Sequence, residues 1–260
     1  MNNDRRYNST LAGKGAYLPE TKKVLQQIAG GKSPEEVREA VVEGDLLDQR
    51  TLRSRENYWK EIFHRYLSGR APDHVADLAR MVARCDNETA TDLVLFYEHC
   101  HADELVYDLT ADCTYELYQN ARTTIDRVDV NEWLKQQETS HPEITDWARS
   151  TRNRLIGSYL AILRDLGLVK GRNKKEFYKF YVPREAFVYV LYHQKDRGLR
   201  GKQLIESTDW RLFLMSDQEV IFMLEDAANG GFVHFRRAGD IYDLRFVYDN
   251  LSEAVRVIVS

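Results

Sequence analysis

The chain has 260 residues, of which 43% are hydrophobic and 30% charged, and its formal net charge is −4. This composition predicts a globular protein and excludes a disordered one, because enough apolar side chains are present to form a core. No apolar run approaches the ~20 residues of a membrane span, and no hydrophobic segment follows the N-terminal arginines. We therefore expect no membrane partner and a cytoplasmic location. The net acidity also argues against a protein that coats nucleic acid along its whole surface.

The first part of the chain, residues 1–140, is predicted to be an all-helical domain. Residues 1–18 are read either as an extended arm or as a short first helix. The clearest helix start is Ser33-Pro34-Glu35-Glu36, a capping box with proline at the first helical position. Glu56 and Glu61 lie among the cations between Arg50 and Arg65 at salt-bridging spacing, which favours a solvated face; contact of this helix or of the arm with nucleic acid is left open. The helices predicted here are 20–29, 34–43, 51–67, 72–86, 88–101, 103–121 and 129–137.

An acidic stretch runs from Cys85 to Ala121. It contains nine acidic residues and no lysine or arginine. A surface of this charge would repel a polyanion and would suit a basic partner instead.

The chain contains three cysteines, none of them in a C-x-x-C pair. An odd number of cysteines on predicted helices indicates reduced thiols. His99-Cys100-His101 is the one local cluster of soft ligands, but adjacent residues on a helix point in different directions. No metal and no cofactor is predicted.

Residues 141–200 are predicted to form a winged helix-turn-helix, because a helix, a sharp turn, a longer helix and a hairpin follow one another from Pro142 to Pro183. Ser150 is the predicted N-cap of the longer helix, and Gly167 the glycine that ends it. Strands are predicted at Leu168-Val169 and Phe177–Val182, on either side of a cationic tip. The apolar face of the longer helix is formed by Leu155, Tyr159, Ile162, Leu163 and Leu166.

The opposite face of the longer helix carries Asn153, Arg154 and Arg164 beside two small residues, Gly157 and Ala161. The small residues would let a wide ligand approach, and Asn153 and Arg154 lie near the end of the helix that reads DNA in such domains. Arg152 falls on the inner side of the helical wheel and is not a candidate contact.

Local charge supports a nucleic-acid surface in this segment. Ten basic and three acidic residues lie between Asp146 and Arg184, although the whole chain is acidic. Cations at the hairpin tip are suited to holding phosphates. The candidate DNA-binding residues are Arg149, Ser150, Thr151, Asn153, Arg154, Arg164, Lys170, Arg172, Lys174, Lys175 and Lys179.

Residues 201–260 repeat the order of helix followed by hairpin, which predicts a second, winged-helix-like α+β unit. Strands are expected at 232–235 and 241–247, and Asn250 is the predicted N-cap of a last helix. The helix that precedes the hairpin carries four carboxylates, so we interpret this unit as a packing or partner module.

No catalytic signature is present in the sequence. Phosphate-binding loops, dinucleotide-binding glycines, a nucleophile elbow and the H-E-x-x-H pattern are all missing. We therefore expect no catalytic residues and a protein that is not an enzyme.

A series of segments spread over most of the chain has a distinctive layout: Tyr17-Leu18-Pro19-Glu20-Thr21, Ser33-Pro34-Glu35-Glu36, the helix from Arg53 to Arg65, Trp147, Ser150-Thr151, Arg154-Leu155, Leu163 to Leu168, and Trp210 to Leu214 before Ser216. In this layout the sequence resembles the BrxA family of bacterial BREX phage-defence systems. The resemblance implies a NusB-like helical N-terminal part, a winged-helix region and binding to double-stranded DNA beside other BREX proteins.

Three functions follow as expectations. The first is a non-enzymatic protein that binds double-stranded DNA through the winged helix with low sequence specificity. The second is a protein–protein adaptor within the defence complex, docking through the acidic stretch and the C-terminal unit. The third is RNA binding through the NusB-like half. A homo-oligomer is left open.

Overall fold

A computed structural model describes residues 6–172, 174–239 and 241–260 of the chain. The protein is mainly helical, with two small antiparallel sheets. The strands are β1 Thr124–Ile125, β2 Val169–Lys170, β3 Lys175–Phe177, β4 Val233–Ala238 and β5 Ile241–Phe246. The α-helices are α1 Leu18–Ala29, α2 Pro34–Val42, α3 Leu52–Tyr66, α4 Pro72–Arg84, α5 Glu88–Ala102, α6 Glu104–Asp108, α7 Tyr115–Gln119, α8 Arg127–Gln137, α9 Arg149–Asp165, α10 Arg184–Asp196, α11 Lys202–Ile205, α12 Asp217–Asn229 and α13 Leu251–Ile258.

Helix starts that were predicted from capping residues are confirmed in two places. Ser33 accepts a hydrogen bond from the Glu36 amide at 3.2 Å, and the Glu36 carboxylate accepts one from the Ser33 amide at 2.7 Å. The Asn250 side chain accepts from the Glu253 amide at 2.9 Å and so caps α13. Each cap satisfies a first-turn N–H that has no partner inside its helix.

The chain divides into two compact units, each assembled from separate segments. Unit 1 contains the described part of Met1–Ala16 together with Asp103–Tyr181 and Ser207–Ser216. Unit 2 contains Tyr17–Ala102, Val182–Glu206 and Asp217–Ser260. The limits of these units differ from the three consecutive segments expected from the sequence.

In chain order, unit 1 contains a continuous helical segment from α6 to α7, then strand β1, helices α8 and α9, and strands β2 and β3. The three strands form one antiparallel sheet in the order β1-β3-β2, with Ile125 opposite Lys175 and Val169 opposite Phe177. Strand β1 was not predicted from the sequence.

The apolar face predicted for α9 is confirmed. Its members Leu155, Tyr159, Ile162, Leu163 and Leu166 are all buried, and their burial fixes which side of the helix faces outward. Gly167 has φ 74°, the left-handed conformation that glycine adopts most readily, and it ends the helix as expected.

Three local predictions for unit 1 are corrected. Helix α9 begins at Arg149 after Ala148, so Ser150 lies in its first turn and is not its N-cap. The second strand of the hairpin is Lys175–Phe177, earlier than the predicted Phe177–Val182. The helix predicted over 103–121 is interrupted by a π-helical segment at Leu109–Thr114. The Thr110 hydroxyl in that segment bonds back to the carbonyl of Val106 at 2.8 Å, which competes with regular helix geometry.

Unit 2 is organised around two fully packed helices, α5 and α10, which contact each other. In α10 every side chain from Ala186 to Tyr192 is buried. Its three aromatic side chains, Phe187, Tyr189 and Tyr192, remove large apolar areas from water, at roughly 1.5–3 kcal/mol per fully buried side chain. Helices α4 and α13 pack together at one side of this core, and α12 continues into the two-stranded β4–β5 hairpin.

No helix in the described residues combines the length and apolar character that crossing a membrane requires.

Candidate nucleic-acid interface

The N-terminal turn of α9 presents cations and open backbone donors together. No side chain caps this helix, and its first turn contains no acidic residue. Arg149, Ser150, Asn153 and Arg154 are exposed, and Thr151 is half-buried. Free N–H groups and the positive end of the helix dipole already favour an anion, and the arginines add full charges beside them.

The hairpin that follows α9 carries further exposed cations at Lys170, Arg172 and Lys174. Within the described residues, Arg149, Arg154, Lys170 and Arg172 form no ion pair. These four charges are therefore not neutralised by the carboxylates that the structure describes.

Three candidate cations are partly engaged by neighbours. Arg164 donates to the Asp165 carboxylate at 2.6 Å, and the Lys174 ammonium lies 3.7 Å from Glu176. Lys179 lies over the exposed ring of Tyr181, with its Nζ 5.3 Å from the ring centroid. All of these groups stay on the surface, where such contacts are weak and exchange readily for a phosphate.

Lys175 does not occupy the surface position that the sequence suggested. It is buried, and its ammonium donates to the carbonyl oxygens of Gly171 at 2.8 Å and Arg172 at 2.6 Å. Burial, and then the nearby charge of Arg164, lower the pKa of Lys175. Its side chain therefore holds the hairpin turn closed and is not part of the exposed cationic set.

A cleft follows the small-residue face of α9. Two adjoining recesses of about 410 and 610 Å³ share Arg127, Gly157 and Ala161. Arg164 and Arg172 border the first recess, and Asn153, Arg154 and the segment Gly13-Lys14-Gly15 border the second. Gly157 and Ala161, which were expected to let a ligand approach, form the floor of this cleft.

Arg127 is a member of this surface that the sequence did not reveal. It begins α8, it is exposed, and its Nη1 donates to the backbone carbonyl of Asn153 at 2.9 Å. A side chain at Gly157 would meet the Arg127 guanidinium at 2.8 Å, so glycine leaves room for it. The separation of 26 residues between Arg127 and Asn153 explains why no local pattern predicted the contact.

The N-terminal segment contributes to the same surface. The Gly13 amide donates to the Ser158 hydroxyl at 2.9 Å, and the Arg154 guanidinium lies directly against Gly13. Gly13 has φ 81°, and a Cβ there would collide with that guanidinium. Residues 6–16 form no helix, as in the first of the two expectations for this segment, and Gly13 packs against α9; Arg5 lies outside the described residues.

Exposed aromatic residues next to the hairpin were also missed. Tyr181 is 72% exposed and Tyr178 44%, and the Lys170 ammonium lies 6.0 Å from the Tyr178 ring centroid. The sequence Tyr178-Lys179-Phe180-Tyr181 places a cation among aromatic residues, which is compatible with such a surface but equally typical of a strand.

Arg152 lies away from this surface, as the helical wheel suggested. Its guanidinium donates to Glu138 at 2.8 Å and to the carbonyl of Ile144 at 3.0 Å. It fastens the start of α9 to the preceding segment.

The acidic stretch does not form the single exposed face that the adaptor hypothesis assumed. In unit 2, Glu98 is fully buried, and in unit 1 the buried Asp103 caps α6. Asp108 accepts a hydrogen bond from the Tyr7 hydroxyl at 2.6 Å, and Asp112 and Glu116 are exposed. These carboxylates are divided between structural contacts and exposed positions.

Unit 2 contains a polar cluster of Arg70, His74, Tyr189 and His193 around the buried Glu98. Glu98 forms an ion pair with Arg70, and its Oε1 accepts from Tyr189 at 2.9 Å and lies 3.0 Å from His74 Nε2. Burial alone would raise the pKa of Glu98, but the bond to His74 and the charge of Arg70 outweigh it and lower the pKa.

Metal-binding residue types meet in this cluster and not at His99-Cys100-His101. Ligand atoms of His74, Glu98 and His193 lie within 4.8 Å of one another. The Glu98 carboxylate, however, already carries the Arg70 guanidinium as its counter-charge. A divalent ion would add uncompensated positive charge to a buried site, so the cluster is better described as an ion-pair network.

Together, the fold and this surface define a mainly helical protein with a cationic helix-and-hairpin module. The chain belongs to the BrxA family, whose model matches residues 5–194. Membership associates it with BREX phage defence. A crystal structure of an uncharacterized protein from Magnetospirillum magneticum is similar in fold, with a TM-score of 0.60 and 19% sequence identity over 74% of this chain and 95% of that one. No curated protein sequence matches the chain.

Proposed function

We propose that this protein is a non-enzymatic, double-stranded-DNA-binding component of a BREX-type defence system. Binding occurs through α9 and the β2–β3 hairpin, acting as a winged helix-turn-helix with low sequence specificity. The observation that carries the proposal is the open, cationic N-terminus of α9 beside the unpaired cations of the hairpin.

The order of elements in unit 1 supports a winged helix. A three-helix arrangement, with a strand after the first helix and a two-stranded hairpin after the third, is the arrangement expected of that domain. In helix-turn-helix proteins the last helix enters the major groove, with its N-terminal residues at the base edges. Here that helix is α9, and its N-terminal residues are the exposed Asn153 and Arg154.

The energetic cost of Arg149 at the start of α9 also supports the proposal. Arginine at the start of a helix opposes the helix dipole, typically by about 0.3–1 kcal/mol. In α9 no first-turn carboxylate offsets Arg149. A phosphate at this position would accept hydrogen bonds from both the arginine and the free N–H groups. Binding DNA would therefore offset the unfavourable interaction of Arg149 with the helix dipole.

Low specificity follows from the small number of side chains suited to base edges. Arginine pairs well with guanine, and asparagine with adenine. Apart from Arg149 at the first position, the exposed residues of these types near the start of α9 are Asn153 and Arg154. The remaining contacts are cations or backbone donors, which hold phosphates without reading sequence.

Fluorescence anisotropy with a labelled duplex of about 20 base pairs tests the proposal. Log affinity should fall linearly with log salt concentration, by about 0.9 per phosphate contact. A triple variant, Arg149→Ser/Arg154→Ser/Arg172→Ser, should lower this slope by about 2–3 and weaken binding by at least tenfold.

The matched control removes three exposed cations from unit 2, as Arg38→Ser/Arg53→Ser/Lys60→Ser. These residues also form no ion pair within the described part of the chain. Equal affinities of the two triple variants would contradict the α9 and hairpin assignment. Tighter binding to a structured RNA than to the duplex would favour the RNA alternative, since A-form RNA offers a different groove.

Family membership supports other BREX proteins as partners in the same proposal. Pull-down of the tagged full chain from cells that carry the whole defence operon, with and without nuclease, tests it. Partners that remain after nuclease treatment contact the protein directly, and loss of all partners would mean that DNA bridges them.

A further inference from the structure

The β4–β5 hairpin of unit 2 presents a second cationic face. Its register pairs His234 with Arg245 and Arg236 with Asp243. Alternate residues of a strand point to opposite sides, so these four side chains share one face of the hairpin. All four are exposed, whereas Val233, Phe235 and Leu244 on the opposite face are buried or half-buried.

We propose that this outer face of the β4–β5 hairpin is a second phosphate-binding surface for duplex DNA. The inference rests on the proposed function and extends it to a separate element of the chain. The family model ends at residue 194, so the hairpin lies outside the part of the chain that the model matches.

Charge favours an anionic partner on this face. Arg236 forms no ion pair within the described residues, and the lone carboxylate of the face, Asp243, is already held by Arg245 at 3.1 Å. Arg237 lies on the opposite face, where it donates to the Gly239 carbonyl at 3.0 Å and lies over the Tyr242 ring. The sequence contains one more acid, Asp240, which lies outside the described residues.

Spacing and shape also suit a phosphate backbone. Residues two apart on a strand are separated by roughly 6.8 Å, which sets His234 and Arg236 in a row along β4. A recess of about 360 Å³ lies along this row, and its lining includes His234, Arg236, Asp243 and Arg245 together with neighbouring residues of β4 and the end of α12. Cations in a row along a recess can contact successive phosphates of one strand.

A protein partner fits this face less well. The outer face offers Ala238 and Ile241 near the turn as its apolar side chains, and no aromatic anchor. Protein interfaces usually depend on a central cluster of buried aromatic or aliphatic side chains with cations at the rim.

The acidic residues of α12 do not cancel this charge. Asp217 and Glu219 lie in the first turn, and the hairpin follows the other end of the helix, roughly 15 Å away along the axis. Salt screens charges beyond about 8–10 Å. Asp226, near the hairpin end, is paired with Arg184 at 2.6 Å, and Glu225 is the exposed acid that remains there.

The test uses the full chain in the anisotropy assay with a 20-base-pair duplex. An Arg236→Ser/Arg245→Ser variant should bind about tenfold more weakly, and its salt slope should fall by about 2, since each lost phosphate contact removes about 0.9. The charge-conserving Arg236→Lys/Arg245→Lys variant should keep most of the slope. An Arg38→Ser/Lys60→Ser variant controls for the change in net charge.

The outcomes separate this inference from the proposed function. If the hairpin variant binds like the charge control while Arg149→Ser/Arg154→Ser/Arg172→Ser loses affinity, the second surface is rejected and the α9 proposal stands. If the wild type does not bind duplex DNA, both are rejected. Unchanged circular dichroism and thermal midpoint establish that the hairpin variant remains folded.

Discussion

Two groups of cations, one in each unit, differ in whether they have carboxylate partners. In unit 2, Arg70 is paired with the buried Glu98 and Arg184 with Asp226. In unit 1, α9 begins with Arg149 and has no carboxylate in its first turn. The start of α12, in unit 2, has two. Paired charges stabilise their own fold, whereas unpaired cations at a helix start cost stability unless an external anion joins them.

The presence or absence of a carboxylate partner therefore separates structural arginines from candidate DNA-binding arginines. Removing a cation that is paired with a buried carboxylate should lower stability and leave DNA affinity unchanged. Removing an unpaired, exposed cation of α9 or the β2–β3 hairpin should lower DNA affinity and change stability little.

The largest effect is expected at the buried ion pair of unit 2. Arg70→Met should destabilise the protein by about 3–5 kcal/mol, because Glu98 would remain buried without its counter-charge. Urea denaturation followed by circular dichroism measures the change. Duplex affinity of the folded fraction should be unaltered.

Two variants sharpen this prediction. Arg70→Met/Glu98→Leu removes both charges and should be more stable than Arg70→Met alone, since no isolated charge stays buried. Arg154→Met removes an exposed, unpaired cation from α9 and should change stability by less than about 0.5 kcal/mol. An Arg70→Met protein as stable as the wild type would show that water reaches Glu98 and that the pair is not structural.

Acid should weaken the same cluster. Burial, despite the attraction of Glu98, lowers the pKa of His193 to about 4, and its folded-state pKa is thus below the ordinary value of 6.5. Between these two values the unfolded chain binds the His193 proton more strongly, so stability falls as pH drops from about 6.5 to 4. The pKa of Glu98 is also lowered, and its contribution is lost as pH falls below about 4.5.

Urea denaturation at pH 7.0, 5.5 and 4.5 checks this dependence. His193→Asn should reduce the slope of stability against pH by up to about 1.4 kcal/mol per pH unit, the value for one proton. His234→Asn, an exposed histidine of the β4–β5 hairpin, is the matched control and should leave the slope unchanged. Equal slopes in all three proteins would mean that His193 titrates normally.

The contrast between the units was only partly visible in the sequence. Periodicity predicted the buried face of α9, and charge density predicted the cations around it, because both are local properties. The pairing of Arg70 with Glu98 and the approach of Arg127 to α9 depend on segments that are distant along the chain. No single-sequence pattern encodes which carboxylate a given arginine will meet.

Errors at the ends of elements have a different cause. Ser150 was the predicted cap of α9, but the helix begins one residue before it, after Ala148. A good N-cap contributes about 1 kcal/mol, which the packing of neighbouring segments readily overrides. Arg152, which donates to Glu138 and to the Ile144 carbonyl, is one contact that holds the start of α9 against a neighbouring segment. Lys175 was misplaced for a similar reason, since its ammonium satisfies two turn carbonyls that sequence alone leaves unassigned.

The smallest change in stability is expected from charge reversals at the first positions of α9 and α12, which test the comparison most directly. Arg149→Glu places a carboxylate at the first position of α9 and should raise stability by about 0.3–1 kcal/mol through the helix dipole. The same change should weaken duplex binding by more than tenfold, because the carboxylate repels phosphate where an arginine had attracted it. Asp217→Lys at the start of α12 is the mirror variant and should lower stability by a similar amount without changing DNA affinity. Thermal denaturation at low salt and anisotropy measure the two quantities on the same samples. A protein that gains stability from Arg149→Glu and keeps its affinity would place the DNA elsewhere, since an arginine that opposes its own helix and contacts no ligand has no physical role at that position.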